Sequence, residues 1–419
     1  VPKVPLDIDT NEINNHLPDD LRILVGLNGS IDSTVAAFLL KKQGFHVIGL
    51  GMALWEPGDK LKEKLTPPKC HIAKLEELRA FCESLDIQFF AADGKGQFDD
   101  NVLEFVKTNK LTGKANLSCI DCTKLQLTIL HEKMQKLSCH FMATGHYAKT
   151  YKNHQSNEFF VHSANDVQFD QSFLISGCEQ QVLRKILFPL SELKRSEVVK
   201  IAKNFSLRLH ESDGESKMCF QDDPAFPKYL EKCIPESLRE RATVLEADTD
   251  NYVSDIKGFY EYYVGQRNIS FEEGKKTIDR NIEVVDFDFT SKNMYVHKKD
   301  EVHLKGAQIV EVDFTSDIDR TRPQKIYCKF FDNNDYHEAT LYYKNNNTLY
   351  IEFSEREGLL AEGEKVVFYD RNTKSSRILG EGKIAARGEY KEINRGDEFK
   401  SRGFIKNEDE EDEKRRPRF

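Results

Sequence analysis

Past an N-terminal extension of residues 1–21, short apolar runs alternate with longer amphipathic stretches. Arg22 to Leu27 is a compact apolar run that predicts a strand. Ser33 to Gln43 sets Val35, Ala36, Leu39 and Leu40 at helical spacing and stops at Gly44. Phe45 to Met52 reads as a second strand, Ile72 to Leu85 as a helix with one apolar stripe, and Ile87 to Ala91 as a third strand. Gln97 to Asn109 and Asp121 to Leu137 read as helices, and His140 to Thr144 as a buried strand. This rhythm predicts βαβ units: an α/β fold with a mostly parallel sheet, helices on both faces, and a site beyond the carboxyl ends of the strands. Ser191 to Asn204 predicts a further helix with a basic exposed face.

From Pro224 the pattern changes. Residues 224–305 mix a short helical stretch with aromatic segments such as Phe259 to Val264. Beyond Val310 short alternating runs (Lys325 to Phe331, Ala339 to Tyr343, Thr348 to Phe353, Lys365 to Tyr369) lie between Asn and Gly turns, as in an antiparallel barrel or sandwich. The expected organisation is an α/β domain over 22–222, a small central domain over 223–305, a C-terminal β-barrel over 306–400 and a charged tail over 401–419.

Composition narrows the class. No apolar run approaches the roughly 18 residues of a membrane span, and Val1 to Asp20 lacks the basic start and apolar stretch of a secretory signal. Nine cysteines, an odd number, argue for a reducing compartment, so the expectation is a cytoplasmic protein without a membrane partner. The net charge of −9 runs against a basic nucleic-acid footprint, although six consecutive acids from Glu408 to Glu413 supply part of it.

Two features carry chemistry. Asn28-Gly29-Ser30-Ile31-Asp32-Ser33-Thr34 joins the first strand to the first helix. A tight turn of small residues at a helix N-terminus presents backbone N–H groups and the positive dipole end, which suits a pyrophosphate, with Asp32 available to Mg²⁺. It lacks the Gly-Lys-Ser/Thr of a Walker A loop, and an ordinary turn capped by Asp32 or Ser33 reads equally well. The second feature is Cys119-Ile120-Asp121-Cys122 at the start of a predicted helix, where thiolates are favoured. A zinc site from Cys119, Cys122, Cys139 and His140 or His146, or plain burial, are the competing readings.

The loop resembles the SGGxDSS signature of the PP-loop ATP pyrophosphatases, with Asn28 in place of the first serine and Ser30 in place of the second glycine. Gly26 to Ser33, Gly49-Leu50-Gly51-Met52, Ala143-Thr144-Gly145-His146-Tyr147-Ala148, Asp170-Gln171-Ser172, Phe188-Pro189-Leu190, Met218-Cys219-Phe220 and Val264-Gly265-Gln266-Arg267 follow in order. So do Gly363 to Asp370 and Leu379-Gly380-Glu381-Gly382. The ordered set, from about residue 22 to 385, resembles the tRNA-specific 2-thiouridylases (MnmA/TrmU).

That resemblance implies a PP-loop fold with a C-terminal barrel, and an enzyme that adenylates a tRNA uridine with ATP and Mg²⁺ and replaces its oxygen with persulfide sulfur. It implies ATP contacts at Gly26, Leu27, Asn28, Gly29, Ser30, Ile31, Asp32, Ser33, Met52 and Gly145. His146 would lie by the reacting base, Cys219 would carry the persulfide, and Cys122 would be its nucleophilic partner, with a disulfide between them as a resting or product state. A sulfur-donor protein would recharge Cys219. The tRNA contacts implied are Leu117, Ser118, Cys119, Phe169, Asp170, Gln171, Tyr327, Cys328 and Glu364. Phe169 stands where lysine is usual, Leu117-Ser118-Cys119 where Asn-Pro-Asp is usual, Tyr327-Cys328 where Arg-Tyr is usual, and Glu364 where Gln is usual. A basic face of Lys185, Lys194, Arg195, Lys200 and Lys203 is the expected tRNA surface. A paralogue that binds tRNA without thiolating it, and a small-molecule PP-loop ligase, are the alternatives.

Overall fold

The computed structural model describes residues 20–55, 65, 74–112, 118–207, 223, 225–234, 236, 239–273, 276–298, 304–315, 318–330, 335–345, 348–357 and 360–388. Leu117, Met218, Cys219, Phe220 and the charged tail lie outside these residues, as does the side chain of Ser118.

Strands β1 (Arg22–Leu27), β2 (His46–Ala53), β3 (Gln88–Asp93), β4 (Phe141–Ala143) and β7 (Ile186–Leu187) form a parallel sheet in the order β3-β2-β1-β4-β7. Alternation along β1 explains its two-sided burial. Leu24 faces a core shared with Ile129, Leu130 and Met134, whereas Ile23 and Val25 face one shared with Val35, Leu39 and Val198. The second core is covered by α1 (Ile31–Lys42), α2 (Leu75–Ser84) and α5 (Arg195–Asn204); α3 (Glu104–Thr112) and α4 (Ser118–Lys136) cover the first. Helices therefore lie on both faces.

Between β4 and β7 in the chain, β5 (Ala148–Lys152) and β6 (Phe159–Ser163) pair as a separate antiparallel hairpin. After the eight-residue helix α6 (Phe226–Cys233) the central segment is mostly strand: β8 (Ala242–Glu246), β9 (Tyr252–Ile256), β10 (Arg267–Glu273), β11 (Lys276–Asp288) and β12 (Asn293–Lys298), in the order β10-β11-β12-β8-β9. The helical and aromatic reading of this region missed that sheet.

A closed six-stranded barrel follows, β13-β16-β15-β14-β17-β18, from β13 (Leu304–Phe314), β14 (Gln324–Lys329), β15 (His337–Asn345), β16 (Thr348–Glu357), β17 (Lys365–Tyr369) and β18 (Ile378–Arg387). Closure leaves no unpaired edge and settles the choice between barrel and sandwich. The β17–β18 connection pairs with the hairpin: Ser163 N donates to the Ser376 carbonyl at 2.8 Å, and Ser376 N to Ser163 Oγ at 2.8 Å. Arg387, buried, donates to the carbonyls of Leu360 and Val285, tying barrel to central sheet.

Candidate active site

The loop after β1 closes on itself. Gly29 has φ +86°, a conformation that favours glycine, and Ser30 then caps α1, its Oγ accepting from Ser33 N at 3.2 Å. Asn28 Oδ1 accepts from Ser30 N at 3.1 Å and from Ser33 Oγ at 2.9 Å. The two departures from the signature are thus mutually supporting: Asn28 braces the turn, and Ser30, at φ −68°, needs no glycine freedom. The turn stands at the carboxyl edge of the sheet, where a helix N-terminus suits an anion.

The loop after β4 lies against it. A Cβ at Gly145 would come within 2.6 Å of the backbone of Asp32 and Ser33, so only glycine permits this approach. Next to it, the Tyr147 hydroxyl donates to Asp32 Oδ1 at 2.9 Å, and Arg195 Nη1 lies 3.1 Å from Asp32 Oδ2. Burial lifts the Asp32 carboxyl above the ordinary aspartate range, while Arg195 and the Tyr147 hydrogen bond pull against that rise. Burial and the neighbouring Asp32 push the Tyr147 phenol far up, so it stays a donor. Both Asp32 oxygens are engaged, and among the described residues no cluster of three or more metal-donor side chains occurs. A single carboxylate fits a Mg²⁺ carried in on nucleotide phosphates rather than one held by a protein cage.

His146 Nδ1 sits 2.9 Å from Thr144 Oγ1. Part of the residue reaches solvent, but desolvation of the ring lowers its pKa to about 4, so the imidazole is neutral at pH 7. It can accept or donate a hydrogen bond to a bound base but brings no charge. Met52, half-buried, is the penultimate residue of β2 at the same edge.

Helix α4 runs back from that edge before β4, so its first turns bear the cysteines there. Leu130 packs against Gly26, and Cys122 lies eight residues earlier, roughly 12 Å further along the axis. Cys122 is 5% exposed and accepts from Gln126 Nε2 at 3.2 Å; Cys119 is half-buried. Cys139 lies beyond the other end of α4, roughly 25 Å from Cys122, which removes the zinc reading that grouped them.

The expected tRNA contacts divide. Phe169 and Gln171 stay close to the loop: the Arg195 guanidinium stacks 5.1 Å from the Phe169 ring centre, and Gln171 bonds to Tyr147. Arg195 thereby brings a cation to the place where Phe169 offers none, and it points inward, correcting its assignment to an outer basic face. Lys194, Lys200 and Lys203 are exposed, and Lys185 lies over the Phe141 ring. Asp170 is wholly buried and bonds to Lys329 of β14. Cys328 is equally buried in the barrel core, so its side chain has no outer surface to offer. Glu364 is buried and accepts from Ala361 N at 3.1 Å in the turn before β17. Tyr327 is half-buried, its hydroxyl 3.3 Å from Glu338. Tyr147, which bonds Asp32, and Lys329, which pairs with Asp170, were not among the expected site residues; only Tyr147 left a trace, inside the Gly145-His146-Tyr147 block.

A family profile described as "tRNA methyl transferase HUP domain" matches residues 21–223. The chain is 26% identical over 352 residues to "tRNA-specific 2-thiouridylase MnmA" of Clostridioides difficile (strain 630), covering 83% of this chain and 95% of the relative. It is 27% identical over 367 residues to the protein of the same name from Natranaerobius thermophilus, covering 87% and 97%. Among solved structures, a 4-thiouridine synthetase–RNA complex with bound ATP is similar at TM-score 0.31 and 15% identity over 52% of this chain and 51% of that one.

Proposed function

We propose that this chain, which belongs to the tRNA-specific 2-thiouridylase (MnmA/TrmU) family of the PP-loop superfamily, an enzyme family, thiolates a uridine of tRNA at the expense of ATP. One observation carries the reading. A self-braced phosphate loop and a cysteine-bearing helix start stand at the same sheet edge, with a neutral histidine beside the loop.

In this reading ATP binds with its phosphates at Gly26 to Ser33, and Mg²⁺ on those phosphates would neutralise charge with Asp32 as its protein ligand. The uracil O2 attacks the α-phosphorus, pyrophosphate leaves, and the base is adenylated. The terminal sulfur of a persulfide on Cys219 attacks C2 and displaces AMP. The Cys122 thiolate then attacks the Cys219 sulfur, which forms a Cys122–Cys219 disulfide and leaves the thiocarbonyl on the base. A dithiol reductant restores the cysteines, and a persulfide-donor protein recharges Cys219. Neutral His146 suits a hydrogen bond to the base rather than charge stabilisation.

The test is a reconstitution with unmodified tRNA, ATP and a persulfide donor, read by mass spectrometry of the digested nucleosides. The reading requires thiolated uridine in step with AMP release. ATP-independent tRNA binding with no thiolated product would instead establish a tRNA-binding paralogue.

A further inference from the structure

Lys329 and Asp170 form an ion pair of 2.8 Å with both side chains wholly buried, one from barrel strand β14 and one from the α/β domain. The carboxylate is fully used. Oδ1 accepts from Ala164 N at 2.9 Å and Ser172 N at 3.3 Å; Oδ2 accepts from Lys329 Nζ and from Ser172 Oγ at 2.8 Å. Ser172 Oγ is 2.9 Å from the Tyr369 hydroxyl of the barrel, and the Lys329 ammonium stands 4.2 Å from the Tyr336 ring centre. A buried ion pair is a poor source of net stability, because both charges are taken out of water, but moving either partner away strands the other as a buried, unpaired charge.

That geometry is passed on. Gln171, next to Asp170, grips Tyr147 by both peptide groups: Gln171 N donates to the Tyr147 carbonyl at 2.8 Å, and its Oε1 accepts from Tyr147 N at 3.1 Å. Tyr147 in turn donates to Asp32 in the phosphate loop. A continuous set of contacts therefore runs from the barrel through Asp170, Gln171 and Tyr147 to Asp32.

We propose that Lys329 is a positioning residue for the nucleotide site: docking of the barrel, through the Lys329–Asp170 pair, fixes Tyr147 on Asp32 and so holds the phosphate loop ready for ATP. This rests on the ATP-binding reading above. A connected path is not itself coupling, so the test measures coupling directly.

Dissociation constants for Mg·ATP are measured by calorimetry on the full chain and on Lys329→Met, Tyr147→Phe and the double variant. Each single change is expected to weaken binding about tenfold, the scale of one hydrogen bond to a charged group, and the double change no more than either alone. Lys329→Arg, which keeps the cation, is expected to stay within about threefold of the parent chain. Lys149→Met removes a buried cation that bonds Asn165, Ser375 and Glu192 at the same domain boundary, none of them a link of the set from Lys329 to Asp32. It should lower thermal stability without changing ATP affinity. Multiplicative losses in the double variant, or an equal loss in Lys149→Met, overturn the proposal. If Lys329→Met does not fold, the Asp170→Asn, Lys329→Met pair, which empties the site of charge, carries the same cycle. Absence of ATP binding by the parent chain would defeat the ATP-binding reading rather than the coupling.

Discussion

Lys124 Nζ of α4 lies 3.5 Å from Oε1 of Glu381, a residue of the last barrel strand that also pairs with Lys365 at 2.6 Å. Lys124 stands two residues after Cys122, so the helix that bears the cysteine is anchored on the barrel. Burial acts to raise the Glu381 pKa, but the charges of Lys365 and Lys124 outweigh it and hold the carboxyl below the usual glutamate value. Glu381→Gln leaves the largely buried Lys365, and Lys124 at the partly solvated rim, facing a neutral amide. A loss of about 2 kcal/mol in the free energy of unfolding is expected, since breaking one partner of such a group strands the other. Chemical denaturation would reveal it, and a change within the scatter of surface variants would show that the contact anchors nothing.

Asp32 and Arg195 are joined across 163 residues of sequence. Asp32→Ala should abolish ATP-dependent pyrophosphate release, because it removes the carboxylate at the loop. Arg195→Ala should also lower it, by about tenfold or more, since Asp32 is left buried without its cation and the Phe169 face loses its charge. Pyrophosphate release assayed at saturating ATP distinguishes the two from wild type, and full activity in either variant would contradict the loop assignment.

His146 gives a pH signature. Its pKa falls from 6.5 to about 4 on folding because the ring is desolvated, so between those values the unfolded chain binds the extra proton. The contribution is fully present above pH 6.5 and disappears as the pH falls towards 4. His146→Gln should flatten the decline in thermal stability over that interval while leaving stability at pH 8 close to that of the parent. An unchanged acid limb would mean that another group titrates there.

The cysteines should separate by chemistry. Burial pushes the Cys82 thiol to about 12, and Cys178, also desolvated, to about 12. Cys122→Ser and Cys219→Ser should each stop sulfur transfer, as serine neither holds a persulfide nor offers an anion at neutral pH. Cys178→Ser should leave transfer within about twofold, and Cys82→Ala should do the same with some loss of stability from the core. Turnover of radiolabelled sulfur into tRNA reads all four, and activity surviving in Cys122→Ser would sink the paired-cysteine chemistry.

Much of this was legible locally. The apolar run Arg22 to Leu27 matched β1 residue for residue, and Lys365 to Tyr369 matched β17, because each carries its burial in consecutive side chains. The central sheet escaped because its strands are interrupted by charge: β11 contains Lys276, Asp279, Arg280 and Glu283, so period-two alternation is blurred. The small residues from Asn28 to Thr34 mark a strand-to-helix turn, and only the family resemblance favoured a phosphate site there over an ordinary capped turn; the partners of the turn left no local mark. Arg195 is at the start of a basic helix, where sequence pattern points it at solvent, yet Asp32 and Phe169 draw it inward. Asp170 and Lys329 are 159 residues apart, and nothing local in either segment marks a buried pair.

That inward turn of Arg195 reshapes the expected nucleic-acid surface. Of the five basic residues assigned to it, Lys194, Lys200 and Lys203 remain exposed, with Lys200 and Lys203 three residues apart on α5 and therefore on neighbouring positions of one face. Arg195 at the head of the same helix ties them to the phosphate loop, so tRNA held on this face would reach the nucleotide edge of the sheet. On a chain of net charge −9 such a patch must act locally, and screening should expose it. Binding of tRNA, followed by filter retention between 50 and 200 mM salt (about the range over which phosphate contacts are lost), should weaken steeply. Lys200→Glu with Lys203→Glu should weaken it by about tenfold at the lower salt and make the slope shallower by about two, one for each phosphate contact removed. Stability should be unaffected, because both side chains are solvated and outside the helix's buried Val198–Ala202 stripe. An unaltered slope in this variant would remove α5 from the tRNA surface, and the exposed lysines would then be no more than a solvated helix face.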